Sequence, residues 1–465
     1  MKKLFFAVLL LFTTLSFAQD RKEIIIDVGQ TKLVKKSLIA LPSFLFFGNP
    51  STPNFVEIGK TLFDVVKNDL DVSALFTFID KNAYLEDPDK KGLKPITEEK
   101  NGFNFEPWKK IGTEFLVRAG YFLKKDSIEF EAYLYHVPTS KLLFGKKYNA
   151  TKSAARTIAH TFCNDVINTL TGKKGIYLTK LVVVSDRGGK GHKEIFTMDW
   201  DAFDGSVKKH TDIRSITASP TWSPDAKKIA FSAFEQNRGT KARNHNLLLL
   251  DMVTGKLSTI SDQKGGYNSG PTFFPDGKSL LFTLSKNGEA DIHRYYLDDK
   301  KIIRITRGPL SAMNVEANVA ADGKKIAFSS NRSGLAMIYV MDASGSNVTR
   351  LTFAGNFNAS PSFSPDGKLI AFAGYDKDQD NFDIFLMHSN GENLIRLTGS
   401  QKRSSHRMAN NEDPSFSPDG RHIVFSSDRT GTKQIYIVNL DGSDERRLTF
   451  DNFTYEKPRW SPYLD

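Results

Sequence analysis

The chain reads as a small α/β N-terminal domain followed by a six-bladed all-β propeller, closed by pairing of the propeller's N- and C-terminal strands. Three observations carry that reading. A phrase centred on Ser-Pro-Asp-Gly recurs through the second half, in six copies of graded fidelity. The segment before it mixes helical and alternating apolar periodicity. The last copy stops after its first strand, and the strands it lacks stand at the beginning of the repeat region.

Composition sets the frame. At ~150 residues per domain, 465 residues suggest about three domains. With 40% hydrophobic and 25% charged residues, the chain has an ordinary globular make-up. A single cysteine excludes an internal disulfide and a cysteine-rich zinc module. The formal net charge of +11 is spread along the chain without a Lys/Arg run that would grip phosphates, so no nucleic-acid partner is expected.

The first element, residues 1–18, is expected to be a signal peptide. Met1-Lys2-Lys3 is a positive start, Leu4 to Leu15 is almost unbroken apolar chain, and Ser16-Phe17-Ala18 places small residues where a signal peptidase cuts, after Ala18. The alternative, a membrane anchor, needs an apolar stretch of ~20 residues. No cysteine follows for lipid attachment, and no later stretch reaches spanning length without a charge. The mature protein is expected to be exported, with no membrane span.

Residues 19–172 are expected to form the α/β domain. Val56, Ile58, Leu62, Val65, Val66 and Leu70 recur at helical spacing. The segments starting at Phe115, Ser127 and Lys141 alternate as strands. Thr151 to Leu170 reads as a second helix ended at Gly172, and Lys90 to Asn101 as a polar loop. A helix pair against a three- to five-stranded sheet accounts for the pattern. His160 and Cys163 read as packing residues within the second helix.

Residues 173–465 carry the repeats. The copies begin at Pro220, Pro271, Ala317, Pro361, Pro414 and Pro458, steps of 51, 46, 44, 53 and 44 residues. A period in the forties with four short strands per unit is a propeller signature. In the clearest unit Pro361-Ser-Phe363 is a first strand and Pro365-Asp366-Gly367 a turn, the proline presetting φ and the glycine supplying φ > 0. Lys368 to Ala373, Asp383 to Met387 and Leu394 to Thr398 follow as further strands. Leu181-Val-Val-Val-Ser-Asp186 matches Ile423-Val-Phe-Ser-Ser-Asp428, so residues from about 175 to 216 supply three strands and the C-terminus the fourth. Closure would remove open sheet edges and staple the ring without a disulfide.

The search for chemistry is mostly negative. The sequence holds no Gly-x-Ser-x-Gly elbow, His-Glu-x-x-His, Walker loop or dinucleotide fingerprint. Asp376, Asp378, Asp380 and Asp383 crowd one loop, which reads either as a Ca²⁺ site without the EF-hand glycine and glutamate or as a solvated loop. No cofactor is expected.

The residues just before each first strand occupy equivalent points around one mouth of the central channel: Ala218 and Ser219; Asn268 and Ser269; Glu316; Ala359 and Ser360; Glu412 and Asp413; Glu456 and Lys457. The units agree in their core positions and differ here, which fits recognition as well as ordinary loop variability. The set leans acidic, which suits a partner with basic or donor-rich loops. Reversing Glu412 and Asp413 is expected to weaken docking with little effect on melting.

The signal peptide, the α/β domain, the Ala-His-x-x-x-x-Asp helix leading to Leu170-Thr-Gly-x-x-Gly175, and the repeats ending in Trp460-Ser-Pro-Tyr-Leu464 together resemble the TolB family of the Tol–Pal envelope system. The resemblance spans nearly the whole mature chain. It implies a periplasmic binding protein, not an enzyme, that takes the lipoprotein Pal at the propeller mouth and supports outer-membrane integrity and constriction at cell division. It also implies that an N-terminal strand, here Glu23, Ile24, Ile25, Ile26, Asp27, Val28 and Gly29, engages TolA. An extended apolar strand suits β-augmentation, and the same segment reads equally as the first strand of the α/β domain. The third unit departs from the pattern with Ala320-Ala321 in place of Ser-Pro. A monomer is expected. Two other classes remain: a propeller gating a peptidase, and a glycan-binding propeller, for which Tyr267 and Tyr455 are the aromatics near the mouth.

Overall fold

Apolar residues recur every three to four positions between Phe55 and Val72, and in the computed structural model that run is a helix burying Leu62, Val65, Val66 and Leu70. The structure describes residues 36–189, 191–236, 243–261, 266–286, 288–309, 312–376, 380–399, 402–404 and 407–464. The expected signal peptide and the Glu23–Gly29 segment lie outside the described residues.

The first unit runs β1 (Ser37–Ala40), β2 (Leu45–Phe46), α1 (Phe55–Val72), β3 (Phe76–Phe78), α2 (Phe105–Lys110), β4 (Phe115–Leu123), β5 (Ser127–His136), β6 (Lys141–Thr151) and α3 (Ala155–Thr171). The sheet order is β3-β1-β4-β5-β6, with β2 also on β4. That makes six strands, one more than the sequence suggests. β1 and β2 share one edge of β4: β1 pairs at Phe115–Leu116 and β2 at Gly120–Tyr121. α1 and α3 cover one face through Val66, Leu70, Ile158, Phe162 and Val166. Gly172 ends α3 at φ 68°, its N–H donating to Asn168 O. The loop from 79 to 104 covers the other face. It is held by buried Arg118, whose Nη2 donates to the carbonyls of Pro88, Lys91 and Gly92 at 2.8, 2.6 and 2.9 Å.

The second unit is a series of antiparallel sheets. The first holds β7 (Lys180–Ser185), β8 (Glu194–Asp199) and β9 (Lys208–Lys209). Then come β10 (Thr217–Trp222), β11 (Lys228–Gln236), β12 (Arg243–Asp251) and β13 (Leu257–Ser261). β14 (Tyr267–Phe273), β15 (Ser279–Lys286), β16 (Glu289–Tyr296) and β17 (Ile302–Arg304) form the next group. β18 (Asn314–Val319), β19 (Lys325–Ser333), β20 (Leu335–Asp342) and β21 (Thr349–Arg350) follow, then β22 (Phe357–Phe363), β23 (Leu369–Asp376), β24 (Asn381–His388) and β25 (Ile395–Arg396). After a hairpin of β26 (Lys402–Ser404) and β27 (Arg407–Met408) stand β28 (Asn411–Phe416), β29 (His422–Ser427), β30 (Gln434–Asn439) and β31 (Arg446–Arg447). The last strand, β32 (Tyr455–Trp460), pairs antiparallel with β7. The architecture is an α/β domain joined to a β-propeller-like array.

Local chemistry explains the repeating turn. Ser364 Oγ donates to Asp366 Oδ1 at 2.6 Å and accepts the Leu369 N–H at 2.9 Å, while Gly367 takes φ 71°. Ala320 cannot supply the hydroxyl, yet its turn keeps the backbone bond from Gly323 N to Ala320 O at 2.8 Å. The first copy makes the same reversal with Ala226 at φ 55°, so what the turn requires is a left-handed residue at this position, which glycine adopts most cheaply, and not the serine.

A second repeating network ties consecutive sheets. Thr306 Oγ1 and Asn314 Nδ2 both donate to Asp291 Oδ1, at 2.6 and 3.0 Å. Thr398 Oγ1 and Asn411 Nδ2 do the same to Asp383 Oδ1, each at 2.7 Å. A fourth strand, a third strand and the next first strand are thereby joined through one buried carboxylate.

Candidate docking surface at the inner strands

Every first strand carries the same irregularity. Ser219, Gly270, Glu316, Ser360, Asp413 and Lys457 have φ from 50° to 61°. Each sits where the register with the second strand skips. A left-handed conformation costs a non-glycine residue roughly 1–2 kcal/mol, and five of these six are not glycine. Each stands before proline or alanine, so the extra residue is absorbed as a bulge that bends the strand.

The strand direction fixes which end this is. First strands begin, second strands end, third strands begin and fourth strands end at the same end of each sheet. The α/β domain sits at the other end. There Arg421 donates to Ser73 O, Arg446 Nη1 meets Asp71 Oδ2 at 3.0 Å, Arg156 pairs with Asp201, and Lys36 Nζ meets Asp444 Oδ2 at 3.0 Å.

The residues expected at the mouth fall into three groups. Ala218, Ser219 and Ser269 are half-buried, while Ala359 and Ser360 are buried. Asn268 is fully buried, accepting from Ser261 Oγ at 2.9 Å and donating to His245 O at 2.6 Å, so its amide is spent inside the sheet. Asn314, Asn358 and Asn411 occupy the same buried position. The charged residues form the third group, and they are paired. Glu316 Oε2 accepts from Ser360 N and Oγ at 2.7 and 3.2 Å. Lys433 Nζ lies 2.7 Å from Glu412 Oε2, Lys193 pairs with Glu456, and Lys457 Nζ lies 2.6 Å from Asp413 Oδ1.

The electrostatics follow from burial and pairing. Burial alone would raise the Asp413 pKa, but Lys457 and Arg459 outweigh it and hold the carboxyl at about 2. Burial likewise works against the Lys457 charge, and the carboxylates of Asp413 and Glu316 reverse the balance, raising its pKa. Arg459 is lowered by burial, with Asp413 and Glu316 opposing. Glu316 belongs to β18, while Lys457 and Arg459 belong to β32, so charges from sequence-distant strands act on one another. Four carboxylates, Glu316, Glu412, Asp413 and Glu456, stand with four cations, Lys193, Lys433, Lys457 and Arg459. The mouth set itself leans acidic, and Lys193, Lys433 and Arg459 from outside it offset that charge.

Asp383 also departs from expectation. It is fully buried, bonded to Thr398, Asn411 and Asn381, and paired with Arg396, so its carboxylate is spent inside the sheet and is not a loop ligand. Asp380 Oδ1 accepts from Tyr375 OH at 2.5 Å. Asp378 and the Asp376 side chain lie outside the described residues.

Of the aromatics the sequence places near this end, Tyr267 is exposed and Tyr455 is buried, and the sequence reading missed Phe353, Phe357 and Phe450. Phe353 and Phe450 are exposed at the exits of β21 and β31, and Tyr267 and Phe357 at the starts of β14 and β22. An isolated phenylalanine next to a strand carries no sequence signal that separates exposed from buried. Among the described residues, no helix is long and apolar enough to cross a membrane.

Comparison with known proteins places these features. Residues 35–143 match the family model described as the TolB amino-terminal domain. Residues 167–405 and 377–465 match the TolB beta propeller domain. The chain is 28% identical over 375 residues to the Tol-Pal system protein TolB of Francisella tularensis subsp. tularensis strain SCHU S4, covering 77% of this chain and 80% of that protein. The counterpart from F. tularensis subsp. holarctica strain LVS matches at 28% over 77% and 81%. The crystal structure of TolB from Acinetobacter baumannii superimposes with a TM-score of 0.74 at 28% identity, covering 92% of this chain and 97% of that one.

Proposed function

The chain belongs to the TolB family, and from that premise we propose that it is a periplasmic protein-interaction module of the Tol–Pal system, binding and not catalytic. In this reading residues 1–18 are removed on export, 19–172 form the α/β domain and 173–465 a propeller of six blades. The propeller is closed by β32 on β7, and the chain acts as a monomer. Closure is supported by the sequence of neighbours among first strands. β10 lies against β14, β14 against β18, β18 against β22, β22 against β28, β28 against β32, and β32 against β10.

The proposed partners are Pal, docking on the bulged end of the first strands, and TolA, taking the Glu23–Gly29 strand. The single observation that carries the docking site is the ring of six bulges on the end that the described α/β domain leaves clear. Support of outer-membrane integrity and constriction would follow from linking these two partners. Calorimetry with the periplasmic domain of Pal tests the first contact. Deleting residues 19–29 should spare Pal binding and abolish TolA binding. Loss of Pal binding by a folded deletion variant would contradict the division of roles.

A further inference from the structure

The phrase Arg-Leu-Thr-Phe occurs at 350–353 and again at 447–450. Its arginine is the last residue of β21 in one case and of β31 in the other. The threonine hydroxyl turns inward in both: Thr352 Oγ1 accepts from Ile338 N and Thr449 Oγ1 from Ile435 N, each at 2.9 Å. The arginine then folds back on the same residue. Arg350 Nε donates to Thr352 O at 2.7 Å, and Arg447 Nε donates to Thr449 O.

The backbone is thus held from two sides immediately before the phenylalanine. Phe353 is 76% exposed and Phe450 74%. Each ring keeps its arginine beside it, with guanidinium-to-centroid distances of 4.9 and 5.1 Å. The strand exit itself does not require phenylalanine. At 304–307 the same exit, with Arg304 Nε on Thr306 O at 3.0 Å, is followed by Arg307. At 396–399 the residue is Gly399.

Both rings lie on connections into first strands, β22 and β32, so they face the same end as the bulges and away from the α/β domain. The carboxylates there are neutralised by their own lysines and arginine. Among the exposed aromatics at this end, which also include Tyr267, Phe357 and Phe453, Phe353 and Phe450 are the two most exposed, and each follows a braced backbone and keeps its own strand's guanidinium beside it. Aromatic and arginine side chains of this kind dominate protein interfaces, and a guanidinium beside an apolar ring is complemented by a carboxylate edging an apolar pocket.

We propose that Phe353 with Arg350 and Phe450 with Arg447 anchor the docking partner, and that the partner presents two apolar pockets edged by carboxylates. This rests on the docking function proposed above and reverses the basic partner surface expected from the sequence.

The test measures affinity of the mature chain for the periplasmic domain of Pal by calorimetry. Phe353→Ala and Phe450→Ala should each weaken binding roughly tenfold or more without lowering the melting temperature. Val253→Ala is the control, equally exposed at 76% but on the turn between β12 and β13 at the opposite end; it should leave affinity unchanged. Wild-type binding should weaken with added salt, and Arg350→Gln with Arg447→Gln should flatten that dependence. If Pal binds the wild type and both phenylalanine variants equally, or if Val253→Ala weakens binding as much, the anchor pair is wrong while docking stands. If the wild type does not bind Pal, docking and anchors fall together. Co-sedimentation with phosphatidylethanolamine–phosphatidylglycerol vesicles that is lost in the phenylalanine variants, with Pal affinity intact, would overturn the proposal in favour of a membrane surface.

Discussion

The Lys457 ammonium and the Asp413 carboxylate meet at 2.6 Å, from the same left-handed bulge position of two consecutive first strands. Asp413 is buried and also accepts from Ser426 Oγ at 3.2 Å. A residue that reads as a solvent-facing docking acid is instead a tie between strands. This divides the mouth carboxylates into structural and peripheral ones, and the division has consequences.

Asp413→Asn leaves Lys457 beside a neutral group in a largely dry setting. Breaking such a pair from one side should cost about 2–4 kcal/mol, below the fully buried case because the lysine retains some water contact. Glu412→Gln, at a half-exposed pair with Lys433, should cost under about 1 kcal/mol. Urea denaturation of the two variants checks this, and equal stabilities would contradict it. The expectation that reversing Glu412 and Asp413 together is harmless to melting does not survive the burial of Asp413. Because the Asp413 carboxyl sits at about 2, its stabilisation is fully present above the ordinary carboxylate range and fades as pH falls toward 2.

A second pH dependence has the opposite sign. Asp69 on α1 and His160 on α3 are buried together, Oδ2 to Nδ1 2.7 Å, with Arg156, Asp201, Cys163 and Tyr177 around them. Burial raises Asp69 to about 6, against the pull of His160. Burial would lower His160, but Asp69 outweighs it and the pKa rises. The folded pair binds more protons than the unfolded chain, so stability should decline as pH rises from about 4 through 6 and beyond. Denaturation at pH 5 and pH 8 should show this in the wild type and much less in Asp69→Asn.

Asp383 should prove to be structural. Asp383→Ala strands Arg396, Thr398 and Asn411 without their shared acceptor, at an expected cost of about 3 kcal/mol. Calcium chloride and EDTA should leave the wild-type melting temperature unchanged. A calcium-dependent rise in melting would reopen the loop as a metal site.

Trp460 should report on how much β32 contributes. It is buried, its Nε1 donates to Thr179 Oγ1 at 2.7 Å, and its strand pairs with β7. Trp460→Ala should lose about 3–5 kcal/mol. Deleting residues 455–465 should bare the β7 edge and promote association, read by light scattering. A truncated chain that unfolds as cooperatively as the whole would argue against closure.

Much of this molecule was legible in one dimension because its turn chemistry is local. Pro365, Asp366 and Gly367 specify a reversal within a few residues, and repetition at a steady period multiplies a weak signal into an architecture. The helices 55–72 and 155–171 were legible for the same reason, since their apolar faces recur within each turn. β1 to β3 and α2 were not, being too short to display a period.

The mouth was legible as a set of positions but not as chemistry. Counting from the repeat located Ser219, Glu316, Ser360, Asp413 and Lys457, the left-handed bulges. It could not reveal that Lys457 neutralises Asp413, that Asn268 points its amide into the sheet, or that Phe353 and Phe450 stand in water. Periodicity along a chain follows from bonds between near neighbours, so residue order alone determined the repeating strands and the turns that join them. Which charges cancel and which rings stay exposed depends on side chains brought together from distant strands, and only the tertiary packing decided those distances.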